Sequence, residues 1–151
     1  GGGEDPTRPG DRVLDLGCGS GILSIAALRL GAESAFACDI DEKCVDVAYE
    51  NAALNGIGKD RYTVRWGDVL TDAALRQEMG TGYDIVVANI VADVIMGLSP
   101  HVRPFLKPGG LFLCSGIIDE RAAEVLEKLK ADGWDVFEQR SSEGWFSYLC
   151  K

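Results

Sequence analysis

The sequence predicts a doubly wound α/β fold: a seven-stranded sheet, mostly parallel with an antiparallel final strand, and helices on both faces. Three observations carry this. Strand-like and helix-like segments alternate along the chain. The segment Tyr83-Asp84-Ile85-Val86-Val87-Ala88 is apolar nearly throughout, as a central strand covered on both faces should be. The last two strand-like segments are joined only by Ser141-Ser142-Glu143-Gly144, too short for a parallel crossover.

Arg12–Leu16 reads as the first strand, leading into a glycine turn and a helix over about 21–30. The 3.6 period places Ile22, Leu23, Ala26, Ala27 and Leu30 on one face of that helix, and Gly31 supplies its stop. Ser34–Asp39 is the second strand, and Asp41 is expected to cap a helix that Asn55-Gly56 closes. Tyr62–Trp66 is the third strand, and a polar helix over about 71–79 leads to Gly80-Thr81-Gly82. After the fourth strand, Ala92–Leu98 is helical, and Pro100 and Pro104 break the helix beyond it. Lys107-Pro108-Gly109-Gly110 reads as a tight turn into a fifth strand over 111–115. The helix Asp119–Ala131 is expected to bury Ala122, Val125, Leu126 and Leu129, with final strands over about 134–138 and 145–149.

The chain of 151 residues suits one domain, and 46% hydrophobic with 26% charged residues is globular rather than disordered composition. No apolar run approaches the ~20 residues of a membrane-spanning helix. With 15 Lys+Arg against 24 Asp+Glu the net charge is −9, which disfavours a nucleic-acid partner because no basic patch offsets it. Acidity of this kind suits a cationic partner or serves solubility alone. Five cysteines (Cys18, Cys38, Cys44, Cys114, Cys150) form no CxxC pair, so they read as buried thiols of a reducing compartment, the cytoplasm. With a single histidine, His101, no metal site is expected, and His101 reads as a surface residue.

The informative segment is Asp15-Leu16-Gly17-Cys18-Gly19-Ser20-Gly21, between the first strand and first helix. Glycines there allow a sharp turn and close approach of a ligand to a helix N-terminus. The dinucleotide pattern G-x-G-x-x-G is missed by one residue, and no Lys-Ser/Thr pair completes a phosphate loop. Asp15 at the strand end would repel a pyrophosphate and attract a cation. A nucleoside carrying a positively charged amino-acid end fits better. Asp39 ends the second strand 24 positions later, where an acid reaches ribose hydroxyls; its competing role is a helix cap. Asp68, ending the third strand, is placed to accept from an adenine amino group, or else simply forms a turn.

These residues resemble class I S-adenosylmethionine-dependent methyltransferases, and most closely the catalytic domain of the ribosomal protein L11 methyltransferase family. The resemblance rests on the stretch from Val13 to Ala27, on Asp39-Ile40-Asp41, Val87-Ala88-Asn89-Ile90-Val91-Ala92, Leu106-Lys107-Pro108-Gly109-Gly110, Ser115-Gly116-Ile117-Ile118 and Glu143-Gly144-Trp145. It implies a Rossmann-like sheet with S-adenosylmethionine as cofactor and S-adenosylhomocysteine as product. It implies a loop of Gly17, Cys18, Gly19 and Gly21 around the methionine end, with Asp15 near the ammonium. Asp39 would bind the ribose, with Ile40 against the adenine ring and Asp68 and Val69 at its edge. Asn89 would face the methyl group and orient the acceptor amine, unless it is only a strand-end turn or cap.

The resemblance further implies methylation of lysine or N-terminal amines of a basic ribosomal protein, without direct nucleic-acid or membrane contact. Residues 1–10 read as a tag or linker remnant and 11–151 as the catalytic domain, the family's N-terminal substrate-docking domain being absent. A lysine must lose its proton to attack, and a desolvated pocket lowers its pKa without a strong general base. Trp145 and Phe146 either wall the acceptor site or pack in the core. Other readings are a small-molecule or nucleic-acid methyltransferase on the same fold, or a domain that binds cofactor without activity. Asn89-Ile90 lacks the Pro-Pro-aromatic continuation of the amino-methylating nucleobase enzymes.

Overall fold

The structure, a computed structural model, describes residues 6–151. Its elements run β1 (Arg12–Leu16), α1 (Ile22–Arg29), β2 (Ser34–Asp39), α2 (Lys43–Leu54), β3 (Tyr62–Trp66), α3 (Ala73–Met79), β4 (Tyr83–Asn89), α4 (Ala92–Leu98), β5 (Leu106–Ile118), α5 (Asp119–Ala131), β6 (Val136–Ser142) and β7 (Trp145–Cys150). Two 3-10 turns at the expected proline break, Ser99–His101 and Arg103–Phe105, separate α4 from β5.

One seven-stranded sheet has the order β3-β2-β1-β4-β5-β7-β6. The strands from β3 to β5 pair in parallel; β7 pairs antiparallel with both β5 and β6. Alternation along each strand splits the core in two. Leu14, Val86, Phe112 and Tyr148 pack beneath α3, α4 and α5, while Val13, Ala35, Ile85 and Val87 pack beneath α1 and α2. The chain reverses its strand order between β1 and β4, so a crevice opens there at the carboxyl ends of the strands.

Several expectations need correction. Helix α1 buries Ser24, Ile25, Ala27 and Leu28, whereas Ile22 and Leu30 are 70% and 56% exposed. Its sequence is apolar all round, so periodicity does not select the inward face. Asp41 lies one residue before the helix cap position, held by Glu42, and accepts the Lys43 N–H through Oδ1 at 3.0 Å.

Lys107-Pro108-Gly109-Gly110 is not a turn ahead of β5 but an insertion within it: Leu106 pairs with Tyr83 and Leu111 with Ile85. Beyond Ser115 the strand continues through an irregularity to Ile118. Strand β6 begins later than expected because Trp134 is taken into the core, its ring 5.1 Å from that of Phe112 and its Nε1 donating to Ser99 O. Leu126 is only half-buried on α5.

Of residues 1–10, read as a remnant, 1–5 lie outside the described residues, and Gly10 N–H donates to Gly31 O at 2.9 Å. No helix among the described residues is long and apolar enough to cross a membrane.

Candidate active site

The crevice is built from the carboxyl ends of β1, β2, β3 and β4. At β1 the chain leaves the sheet through Gly17, whose φ of +81 is costly for a side-chain-bearing residue. A Cβ there would also stand 2.6 Å from Ile90 Cγ2, so Gly17 is the residue that lets the loop close on β4. The N–H groups of Gly17 and Cys18 donate to Cys38 O at 2.9 and 3.0 Å, and Gly21 N–H donates to Cys18 O. Gly19 N–H donates to Asp39 Oδ2 at 2.9 Å, and Asp39 Oδ1 accepts the Asp41 N–H at the same distance. The Asp39 carboxylate thus ties the glycine loop to the end of β2. Gly21 leads into α1 without a side-chain cap, which leaves the positive end of that helix turned toward the loop.

Asp15 lies beneath this loop rather than in the open crevice. It is 1% exposed, and its Oδ2 accepts the Ser24 hydroxyl at 2.5 Å. Burial pushes its carboxyl up to about 6, the Ser24 hydrogen bond pulls the other way, and the neighbouring Asp39 charge raises it further. Burial likewise raises the Cys38 thiol to about 12 and the Cys18 thiol further still. Both thiols stay protonated at neutral pH, so neither supplies a nucleophile. No group of residues among those described is arranged to hold a metal ion.

The crevice wall joins Gly17, Asp39, Ile40, Asp68 and Val69, five of the positions that the sequence selected. Ile40 is 73% exposed at the mouth, and Trp66 Nε1 donates to Ile40 O at 3.1 Å, which braces it. Asp68 forms a local turn, its Oδ1 accepting the Leu70 N–H at 2.9 Å, and still lines the crevice. Sequence reasoning missed Leu70, Val91 and Val94, which line the same wall and are 39%, 65% and 44% exposed. Apolar side chains this exposed beside three carboxylates, Asp39, Asp68 and Asp93, make a slot suited to a flat heterocycle with hydroxyl and amino donors at its edges. The only signal for them was their position just after β3 and β4.

Asn89 ends β4, exposed, paired with Ser115 of β5. Its successor Ile90 lines the crevice. Val87, two residues back on the same face, lines a groove on the sheet together with Leu113, Ser115 and Trp145. Asn89 itself lines neither, and stands at the strand end between Val87 of the groove and Ile90 of the crevice. The two aromatic candidates separate: Trp145 is 54% exposed, while Phe146 is partly buried and packs on the core. His101 is exposed on the 3-10 turn after α4 and lines neither the crevice nor the groove.

Residues 4–151 match the family model described as Ribosomal protein L11 methyltransferase (PrmA). A curated ribosomal protein L11 methyltransferase from Caldanaerobacter subterraneus subsp. tengcongensis is 42% identical over 98% of this chain. The matched region is 45% of that relative, so the chain spans about half the length of the curated relatives it matches. Among solved structures, the ribosomal protein L11 methylase of Lactobacillus delbrueckii subsp. bulgaricus superposes with a TM-score of 0.85 at 31% identity, covering 97% of this chain and 71% of that one. An RNA methyltransferase from Salinibacter ruber in complex with S-adenosyl-L-homocysteine shares the fold, with a TM-score of 0.70 at 22% identity over 92% of this chain and 78% of that one. By sequence along nearly its whole length, and by the sheet that sequence builds, the chain belongs to the ribosomal protein L11 methyltransferase family.

Proposed function

We propose that the chain is the catalytic part of an S-adenosylmethionine-dependent methyltransferase that modifies lysine or N-terminal amines of ribosomal protein L11 in the cytoplasm. The observation that supports this reading most is the crevice at the ends of β1, β2, β3 and β4, whose wall brings Gly17, Asp39, Ile40 and Asp68 together, with Asn89 ending β4 next to the crevice residue Ile90. When bound, S-adenosylmethionine supplies an electrophilic methyl group on a sulfonium. The residues present fit it: Asp39 at the ribose hydroxyls, Ile40 and Val91 on the adenine faces, Asp68 at its amino group, and the loop Gly17–Gly21 around the amino-acid end. Cys18, Gly19 and Gly21 serve through that loop's backbone. Val69 shapes the crevice floor, and Asp15 supplies negative charge from beneath the loop on the side of the ammonium.

Asn89 Oδ1 accepts one N–H of the incoming amine and thereby aims its lone pair toward the crevice. With S-adenosylmethionine bound, the new N–C bond would form as the C–S bond broke, and the amine's extra proton would pass to water. A lysine with a pKa near 10.4 enters mostly charged. The groove beside Trp145, which Arg140 also lines, disfavours that charge and favours the neutral amine without a dedicated base. The net charge of −9 favours approach of a basic ribosomal protein over a nucleic acid.

The test is transfer of a tritiated methyl group from S-adenosylmethionine to a ribosome preparation, with its protein and RNA, and separately to a small-molecule extract, with amino-acid analysis of any labelled protein. Label on L11 recovered as N-methylated lysine or an N-methylated terminal residue is the expected result. Label confined to RNA or to a small molecule would replace this acceptor, and S-adenosylmethionine binding with no transfer at all would leave a cofactor-binding domain without activity.

A further inference from the structure

We propose that Gly116 is the positioning residue for Asn89, and that its missing side chain is what allows the Asn89 amide to lie across the end of the sheet. This rests on the reading of Asn89 as the residue that orients the acceptor amine. Gly116 sits in the irregular stretch of β5 between Cys114 and Ile117, where the register with β7 shifts. Its φ of +78 places it in the left-handed region. A bulge accounts for that backbone angle but not for what surrounds it. A Cβ on Gly116 would run directly into Asn89 Oδ1, and would stand 3.4 Å from Ile90 N and 3.5 Å from Ile90 O. The same two-residue segment is held by Ile90 N–H donating to Ser115 O at 3.2 Å.

On the other side, Gly17 of the glycine loop has Ile90 Cγ2 where its own Cβ would be. The Asn89-Ile90 segment is therefore held between two glycines of positive φ, Gly17 from β1 and Gly116 from β5. Gly17 sets how closely the cofactor loop approaches Ile90. Gly116 sets where the Asn89 oxygen can rest, so the two contacts fix the distance between the crevice and the amide that meets the amine. Gly116 lies outside the crevice wall, so its effect should fall on transfer and not on cofactor affinity.

The experiment is a cycle of Gly116→Ala, Asn89→Ala and the double variant, measured by thermal unfolding, S-adenosylmethionine calorimetry and methyl transfer to L11. Gly109→Ala serves as the control, since Gly109 has a φ of +80 on the same strand but a Cβ there would meet open space. Gly116→Ala should bind S-adenosylmethionine within about twofold of the parent and lose about tenfold or more in kcat. Its unfolding midpoint should drop further than that of Gly109→Ala, and Asn89→Ala should restore the difference, because removing Oδ1 removes the collision. Should Gly116→Ala fail to fold, the double variant is expected to fold.

Additive losses in midpoint across the cycle, or a Gly116→Ala enzyme with undiminished kcat, would overturn the positioning role. Undiminished transfer by Asn89→Ala would instead overturn the reading of Asn89, whatever the stability cycle shows.

Discussion

The carboxylate of Asp39 accepts the backbone N–H of Gly19, Oδ2 to N at 2.9 Å, so the acid proposed to hold the ribose also holds the glycine loop proposed to enclose the amino-acid end of the cofactor. Removing it should therefore act twice. Asp39→Ala is expected to weaken S-adenosylmethionine binding by tenfold to hundredfold, since a hydrogen bond to a charged group contributes about 1.5–3 kcal/mol. Asp39→Asn, which keeps one acceptor oxygen, should fall between the two. Titration calorimetry on the three proteins measures this directly.

Asp15 is expected to make stability depend on pH and, under the proposed cofactor reading, affinity as well. Its carboxyl titrates near 6 in the fold against an ordinary 3.8, with burial as the leading cause. Between those values the unfolded chain is ionised while the folded one keeps its proton, so stability falls as pH rises from about 4 to about 6. Above pH 6 the full cost of a buried charge remains, about 3 kcal/mol. Asp15→Asn should remove that cost: its unfolding midpoint at pH 7.5 is expected to be no lower than the parent's. Cofactor affinity should run the opposite way, rising through pH 6 in the parent as Asp15 ionises and losing that step in Asp15→Asn. Thermal unfolding and calorimetry of both proteins at pH 5 and pH 7.5 provide the measurements.

Ile40 and Leu14 are both aliphatic, yet one is 73% and the other 0% exposed. Ile40→Ala should leave the unfolding midpoint almost unchanged and weaken cofactor binding by about tenfold, the effect of roughly 1–2 kcal/mol of apolar contact with the adenine. Leu14→Ala should cost about 2–5 kcal/mol of stability. Urea unfolding with and without S-adenosylhomocysteine separates these effects.

Trp145 and Phe146 are adjacent but face different surroundings. Trp145→Ala should lower kcat/KM for L11 with little change in midpoint or in S-adenosylmethionine affinity. Phe146→Ala should destabilise the fold by about 3 kcal/mol or more. Steady-state kinetics beside thermal unfolding distinguishes an acceptor-site wall from a core residue.

Most strands were legible because the pleat alternation and apolar runs of β1 to β4 are strong local signals, and the glycine loop because three glycines at alternate positions have few purposes other than close approach. The inward face of α1 was not legible. Ile22, Leu23, Ile25 and Leu28 are equally apolar, and what selects Ser24 for burial is its bond to Asp15, a contact the fold supplies. The 13-residue span of β5 was hidden because Pro108-Gly109-Gly110 has turn composition, although pairing with β4 resumes past it. The placement of Asp39 and Asp68 on the crevice wall, and of Asn89 at the end of β4, could be read from strand ends alone. The apolar wall of Leu70, Val91 and Val94 could not, because exposed aliphatics become a slot only when the ends of β3 and β4 face one another across the crevice.

The most direct test of the crevice as a cofactor site is calorimetric titration of S-adenosylmethionine into the unaltered chain and into Asp39→Ala. Saturable binding of one cofactor molecule per chain, sharply weakened by the substitution, is the predicted result. Binding of NAD in place of S-adenosylmethionine, or equal affinity in the two proteins, would contradict it.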